Sequence, residues 1–174
     1  MENAVKLEKF RQLDPQTLPE VWAAHFSEKP DNLGVSMPAN LANLIGSRLE
    51  KYPMFILPVS RLTGHEIMLM ESVVGDNFSV QVTGLEEYKR FGSQAPTRAS
   101  FTFFTELAAE KELILIHGRF DGSQMNLAQS SLLLQNFCAA YSRDELFQWV
   151  QRFRDRPIEF DFNEFMKIFT KQNE

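Results

Sequence analysis

The stretch Val74-Gly75-Asp76-Asn77-Phe78-Ser79-Val80-Gln81-Val82-Thr83 decides the fold class. Its first four residues favour a turn, and from Phe78 onward apolar and polar side chains alternate. A period of two puts Phe78, Val80 and Val82 on one face and Ser79, Gln81 and Thr83 on the other, which is the pattern of a half-buried strand. Toward the N-terminus, residues 66–73 form a second strand, entered through Leu62-Thr63-Gly64. Met54-Phe55-Ile56-Leu57, ahead of Pro58, forms a third, and the three make an antiparallel meander. Toward the C-terminus, residues 85–91 read as a short helix closed by Gly92, and residues 99–104 as a fourth strand. Residues 105–111 are a helical turn or two. Residues 113–120 are a fifth strand, apolar on both faces at its start and therefore central.

Helices flank this β region. Thr17 precedes Leu18-Pro19-Glu20, a helix start with proline in its first turn, and Lys29-Pro30-Asp31 ends that helix. Ser36 and Pro38 read as the start of a second helix, whose stripe is Leu41, Leu44, Ile45 and Leu49. Asn126 caps a long helix carrying Leu127, Leu134, Cys138 and Tyr141. Ser142 and Glu145 have the spacing of a capping box, and Asp161 and Glu164 repeat it. Phe162, Phe165, Met166 and Phe169 share one face of the last helix. Runs of strands bordered by runs of helices predict an α+β fold: a mostly antiparallel sheet of about five strands with helices packed on one face. Residues 1–16 are expected to form an N-terminal arm, loose or briefly helical, and residues 17–174 a single domain.

Composition excludes several classes. The 174 residues are 44% hydrophobic and 24% charged, which is the balance of a globular protein rather than a disordered one. The net charge of −5 comes from 18 basic and 23 acidic residues, with no basic stripe, so nucleic-acid binding is not expected. The single cysteine, Cys138, forms no intramolecular disulfide. No tract approaches the ~18 apolar residues of a membrane span, and Met1-Glu2-Asn3 opens neither a secretory signal nor an Arg-rich transit peptide.

No catalytic, cofactor or metal site is expected. His25, His65 and His117 fall in different elements without a partner at metal-ligand spacing. No Gly-rich phosphate loop follows a strand. The acid pairs Glu86-Glu87 and Asp144-Glu145 stand at helix starts, where they complement the dipole. The alternative to a binding protein is a small enzyme or ligand carrier with an apolar pocket between sheet and helices, His117 and Cys138 supplying its polar groups.

The 16 phenylalanines are read first as core filling. Any surplus left at the surface would mark a protein interface. Met68 and Met70 share one face of their strand, and methionine suits a surface that adapts to a partner. With Phe101 and Phe103 of the fourth strand, they are the candidate partner-binding residues.

The ordered segments Leu18-Pro19-Glu20-Val21-Trp22-Ala23-Ala24-His25-Phe26, Tyr52-Pro53-Met54-Phe55-Ile56-Leu57-Pro58, Gly64-His65-Glu66, Ala109-Glu110-Lys111-Glu112-Leu113-Ile114-Leu115-Ile116, Asn126-Leu127-Ala128-Gln129 and Phe160-Asp161-Phe162 resemble the mitochondrial ATP synthase assembly-factor family. The resemblance covers roughly residues 17–170 and rests on order and spacing, not on one motif. His65 stands where that family commonly has Tyr, and Glu112 where it has Gly. The resemblance implies a chaperone of the unassembled beta subunit, which shields an alpha-facing surface and is released when alpha takes its place. It also implies the mitochondrial matrix, a free monomer, and neither cofactor nor catalysis.

Overall fold

A computed structural model describes residues 7–170. The alternating stretch forms β4 (Phe78–Gly84), the middle of a meander with β3 (His65–Val74) and β2 (Met54–Ser60). Its inward residues meet apolar partners: Phe78 lies opposite Phe103, Val80 opposite Phe101 and Val82 opposite Ala99, all on β5 (Thr97–Phe104). The outward set pairs polar with polar, Ser79 with Thr102 and Gln81 with Ser100. β6 (Leu113–Phe120) follows β5 and is interior, as expected from its apolar start.

The sheet has six strands, not five. The missed strand is β1 (Asn32–Pro38), which pairs antiparallel with β6 and completes the order β1-β6-β5-β4-β3-β2. Ser36 therefore sits in a strand and caps nothing. The helix after it, α3 (Ala39–Lys51), has Pro38 as its N-cap, in extended conformation. The strand is short, contains a glycine and ends in proline, so its alternation of Leu33, Val35 and Met37 is easily read as lead-in to the helix.

Eight helices occur among the described residues. The others are α1 (Leu7–Arg11), α2 (Leu18–Ser27), α4 (Leu85–Phe91), α5 (Ala108–Lys111), α6 (Leu127–Ser142), α7 (Asp144–Asp155) and α8 (Phe162–Thr170). α3, α6, α7 and α8 bury the main core against the inward face of the sheet: Ile45, Leu49, Phe137, Tyr141, Val150, Phe165 and Phe169 pack with Phe55, Met70, Val82, Phe101 and Phe103. Phe55 alone meets the rings of Tyr141, Phe153, Phe165 and Phe169. α6 starts with a complete capping box. Asn126 Oδ1 accepts from the Gln129 amide at 2.8 Å, and Gln129 Oε1 accepts from the Asn126 amide at 3.0 Å. The Ser142–Glu145 box does not form: α6 runs through Ser142, and Arg143, without a side-chain cap, precedes α7. Asp161 does accept from the amides of Asn163 and Glu164 at the start of α8.

Helices are not confined to one face. Ile114 and Ile116 of β6 enter the main core, whereas Leu115 between them enters a second cluster with Phe10, Leu18, Trp22, Phe26 and Leu107. α2 thus covers the far face at the β1–β6 end, and α1 docks on it through Phe10, whose ring meets Trp22 edge-on at 5.0 Å. Residues 1–6 of the expected arm and 171–174 of the expected domain lie outside the described residues.

Candidate binding surface

Met68, Met70, Phe101 and Phe103 do not form a surface. All four are fully buried at 0% exposure. The period of two places Met68 and Met70 on one face, but it is the face that the helices cover. Phe103 stacks on Phe78 at 4.2 Å and approaches Phe137 of α6 at 6.4 Å. Of the 16 phenylalanines only Phe91 and Phe162 are exposed, so the phenylalanine content is core filling.

The paired acids are structural. Glu86 salt-bridges Lys89, which holds its carboxyl below the usual range, and Glu87 accepts from the buried Arg98 at 2.9 Å. Arg98, Glu66, Glu87, Arg61 and Gln124 form one neutral hydrogen-bonded group where β3, α4 and β5 converge. Its members come from four segments, residues 61–66, 87, 98 and 124, which only the folded chain brings together. His25 and His117 both pack against the Phe26 ring, while His65 stands apart. His25 lies 3.0 Å from Lys29 Nζ, and His65 is exposed at the start of β3. His117 stacks on Phe26 at 4.1 Å, and its Nε2 lies 2.7 Å from Asn32 Oδ1. Burial pushes its pKa down to about 4, helped by the nearby cations of Arg119 and Lys29.

Cys138 packs against the main core from α6, and burial pushes its thiol up to about 12. His117 faces α2 on the other side of the sheet, with Leu115 rather than Ile116. The sheet therefore separates the two groups on which the enzyme reading rested. Among the described residues no three His, Cys, Asp or Glu side chains gather as a metal-ligand set.

Among the described residues, a cleft is built at β1, an edge strand. α2 lies closely across it because residue 34 is glycine: a Cβ there would stand 2.7 Å from Phe26 Cδ2 and 2.9 Å from the Trp22 carbonyl oxygen. Trp22 Nε1 donates to the Ile116 carbonyl at 2.8 Å, fixing the helix over β6. A cleft of about 550 Å³ opens along the strand. Asn32, Leu33, Gly34 and Val35 form its floor; Ala23 and Ser27 of α2 stand on one side, and Leu127 and Ser131 of α6 on the other. Val35 is 37% exposed and Leu127 54% exposed. Apart from Lys29 and Asp31 the lining is uncharged. Nothing in the sequence located this cleft, because it depends on β1 being at the edge and on two helices remote in sequence.

A six-stranded antiparallel sheet with helices on both faces and an accessible cleft at one sheet edge defines the class, an α+β module with a groove beside its core. The chain belongs to the ATP11 family, whose profile (ATP11 protein) matches residues 1–166. It is similar to "ATP synthase mitochondrial F1 complex assembly factor 1" of Danio rerio, with 23% identity over 158 residues, 90% of this chain and 51% of that protein. The Homo sapiens protein of the same name matches at 23% identity over 90% of this chain and 47% of its own length. "Protein atp11, mitochondrial" of Schizosaccharomyces pombe matches at 26% identity over 81% of this chain and 50% of its own. The chain thus spans about half the length of these relatives.

Proposed function

We propose that the chain is an assembly chaperone of the mitochondrial ATP synthase catalytic sector, and that it binds the unassembled beta subunit. The observation that carries this reading is membership of the ATP11 family together with relatives named as assembly factors of that complex. The architecture supports it, since an accessible groove beside a rigid core suits recognition of another chain. The chaperone works by mass action. Bound to the alpha-facing surface of beta, it lowers the concentration of an aggregation-prone species, and alpha later displaces it. A displaceable partner needs a contact of modest size rather than an obligate one. The role requires no catalysis and no cofactor. Mitochondrial residence and a monomeric free state complete the reading.

The test is capture of isolated beta subunit by the folded chain, followed by addition of alpha. Retention of beta that alpha reverses is expected. Failure of folded protein to retain beta would overturn the proposal.

A further inference from the structure

The two edges of the sheet differ in what they offer a further strand. In β1 the ladder bonds are fixed by two contacts at its ends. The Phe120 amide donates to the Asp31 carbonyl at 3.0 Å, and the Ala39 amide to the Glu112 carbonyl at 2.9 Å. In an antiparallel pair, directly opposed residues alternate between bonded and non-bonded. Residues 33, 35 and 37 therefore bond β6, and the register shows no bulge that would shift them. Asn32, Gly34 and Ser36 turn their amide and carbonyl groups away from β6, the first two into the cleft and Ser36 along the same edge just beyond it. Among the described residues these groups have no hydrogen-bond partner. They recur every two residues, about 6.8 Å apart, which is the spacing of a strand.

The opposite edge, β2, is closed to the same use. The Ser72 amide donates to the Pro53 carbonyl and the Arg61 amide to the Gly64 carbonyl, so the outward positions there are 54, 56, 58 and 60. Residue 58 is proline and has no amide to give. The Ser60 carbonyl already accepts from Gln129 Nε2 at 2.7 Å. Proteins commonly guard an edge in this way against unwanted pairing, and here one edge is guarded while the other has a cleft built over it.

We propose that the β1 edge takes an extended segment of the partner subunit as a seventh strand, hydrogen-bonded to Asn32, Gly34 and Ser36 and seated between α2 and α6. The chemistry selects the occupant. The floor offers backbone donors and acceptors, which only another extended backbone satisfies in series. The walls are small or apolar, and the rim carries one cation and one anion, Lys29 and Asp31, so a segment without net charge fits. This rests on the proposed function, which supplies the partner.

The experiment measures amide hydrogen exchange of the full chain, alone and with isolated beta subunit, beside the affinities of Ser36→Pro and Ser36→Ala. The Ser36 amide points away from β6, so proline removes a docking donor without breaking the existing ladder, while alanine keeps it. Expected are at least tenfold slower exchange at Asn32, Gly34 and Ser36 in the complex, at least tenfold weaker binding by Ser36→Pro, and no more than twofold change by Ser36→Ala. Binding of beta with these three amides still exchanging freely would overturn the strand addition and leave the chaperone reading standing, whether or not Ser36→Pro folds. Absence of binding by the wild-type chain would overturn both. Concentration-dependent protection of the same amides in the chain alone would assign the edge to a second copy and overturn the proposal.

Discussion

Gly34→Ala tests the packing that shapes the cleft. The added Cβ would lie 2.7 Å from Phe26 Cδ2, 2.9 Å from the Trp22 carbonyl oxygen and 3.0 Å from Trp22 Cδ1. Two of these atoms belong to rings that are at most 2% exposed, and the third is backbone, so none yields by swinging aside. α2 must lift off the strand by several tenths of an ångström. That strains the 2.8 Å bond from Trp22 to the Ile116 carbonyl and the Phe26–His117 stack. Overpacking of this kind costs about 1–3 kcal/mol, and a weakened hydrogen bond up to about 1 kcal/mol. Alanine returns about 0.5–1 kcal/mol through lower backbone entropy in the unfolded chain. The middle of these ranges is a loss of about 2 kcal/mol. With a urea slope near 2 kcal/mol/M, the midpoint should fall by about 1 M. The transition is followed by Trp22 fluorescence in a Trp149→Phe background, since the chain has two tryptophans. Gly46→Ala is the internal contrast: in α3 the nearest atom to its Cβ is 3.8 Å away, and removing a helical glycine should stabilise by up to about 1 kcal/mol. Equal effects at the two sites, or a midpoint shift below about 0.3 M for Gly34→Ala, would refute the claim that α2 is held at contact distance on β1.

Phe165→Ala should cost about 3–5 kcal/mol in chemical unfolding, because the ring is 0% exposed and meets Phe55, Phe160 and Phe169. Glu112→Gly should stabilise by up to about 1 kcal/mol on thermal unfolding, since Glu112 has φ of 56° and glycine adopts that left-handed conformation without the Cβ penalty. His117 makes stability pH-dependent. The unfolded imidazole takes a proton near its ordinary 6.5 but the folded one only near 4, so the unfolded state binds more protons between those values. Stability should be full above pH 6.5 and decline as the pH falls toward 4. Urea midpoints across that window should flatten in His117→Gln, and an unchanged slope would remove His117 as the cause.

What was legible in the sequence was local. The alternation at Phe78–Gly84 announced its own strand and, through the turns before it, the meander. The Asn126 cap and the face of Phe165 and Phe169 were equally readable, because caps and helical stripes are set within a few residues. Position relative to other layers was not. Met68 and Met70 lie on the same face, as their spacing required, yet spacing does not say which face the helices cover. His117 and Cys138 looked able to meet because sequence carries no marker for opposite sides of a sheet. β1 was lost because Gly34, which weakens a strand pattern, is the residue that lets α2 approach. The resemblance had placed glycine at position 112, and the structure supplies the reason in the left-handed backbone there.

Consuming the phenylalanines in the core changes how such a protein recognises a partner. The expected apolar patch of methionine and phenylalanine would have bound through area, with affinity growing with every ring exposed and self-association as the hazard. Among the most exposed large apolar residues, Leu62 in the β2–β3 turn, Phe91 at the end of α4 and Ile158 between α7 and α8 stand on separate elements, while Val35 and Leu127 line the cleft. A strand edge binds through backbone groups that water also satisfies. Each bond exchanged with water contributes only about 0.5–1.5 kcal/mol net, so an edge of three outward residues yields a contact that a larger native interface outcompetes. Under the proposed function, release then needs no energy source, only a competitor that buries more surface. Under the proposed strand addition, Pro58 on β2 and the open groups of β1 direct a weak, sequence-tolerant contact to one edge of the sheet.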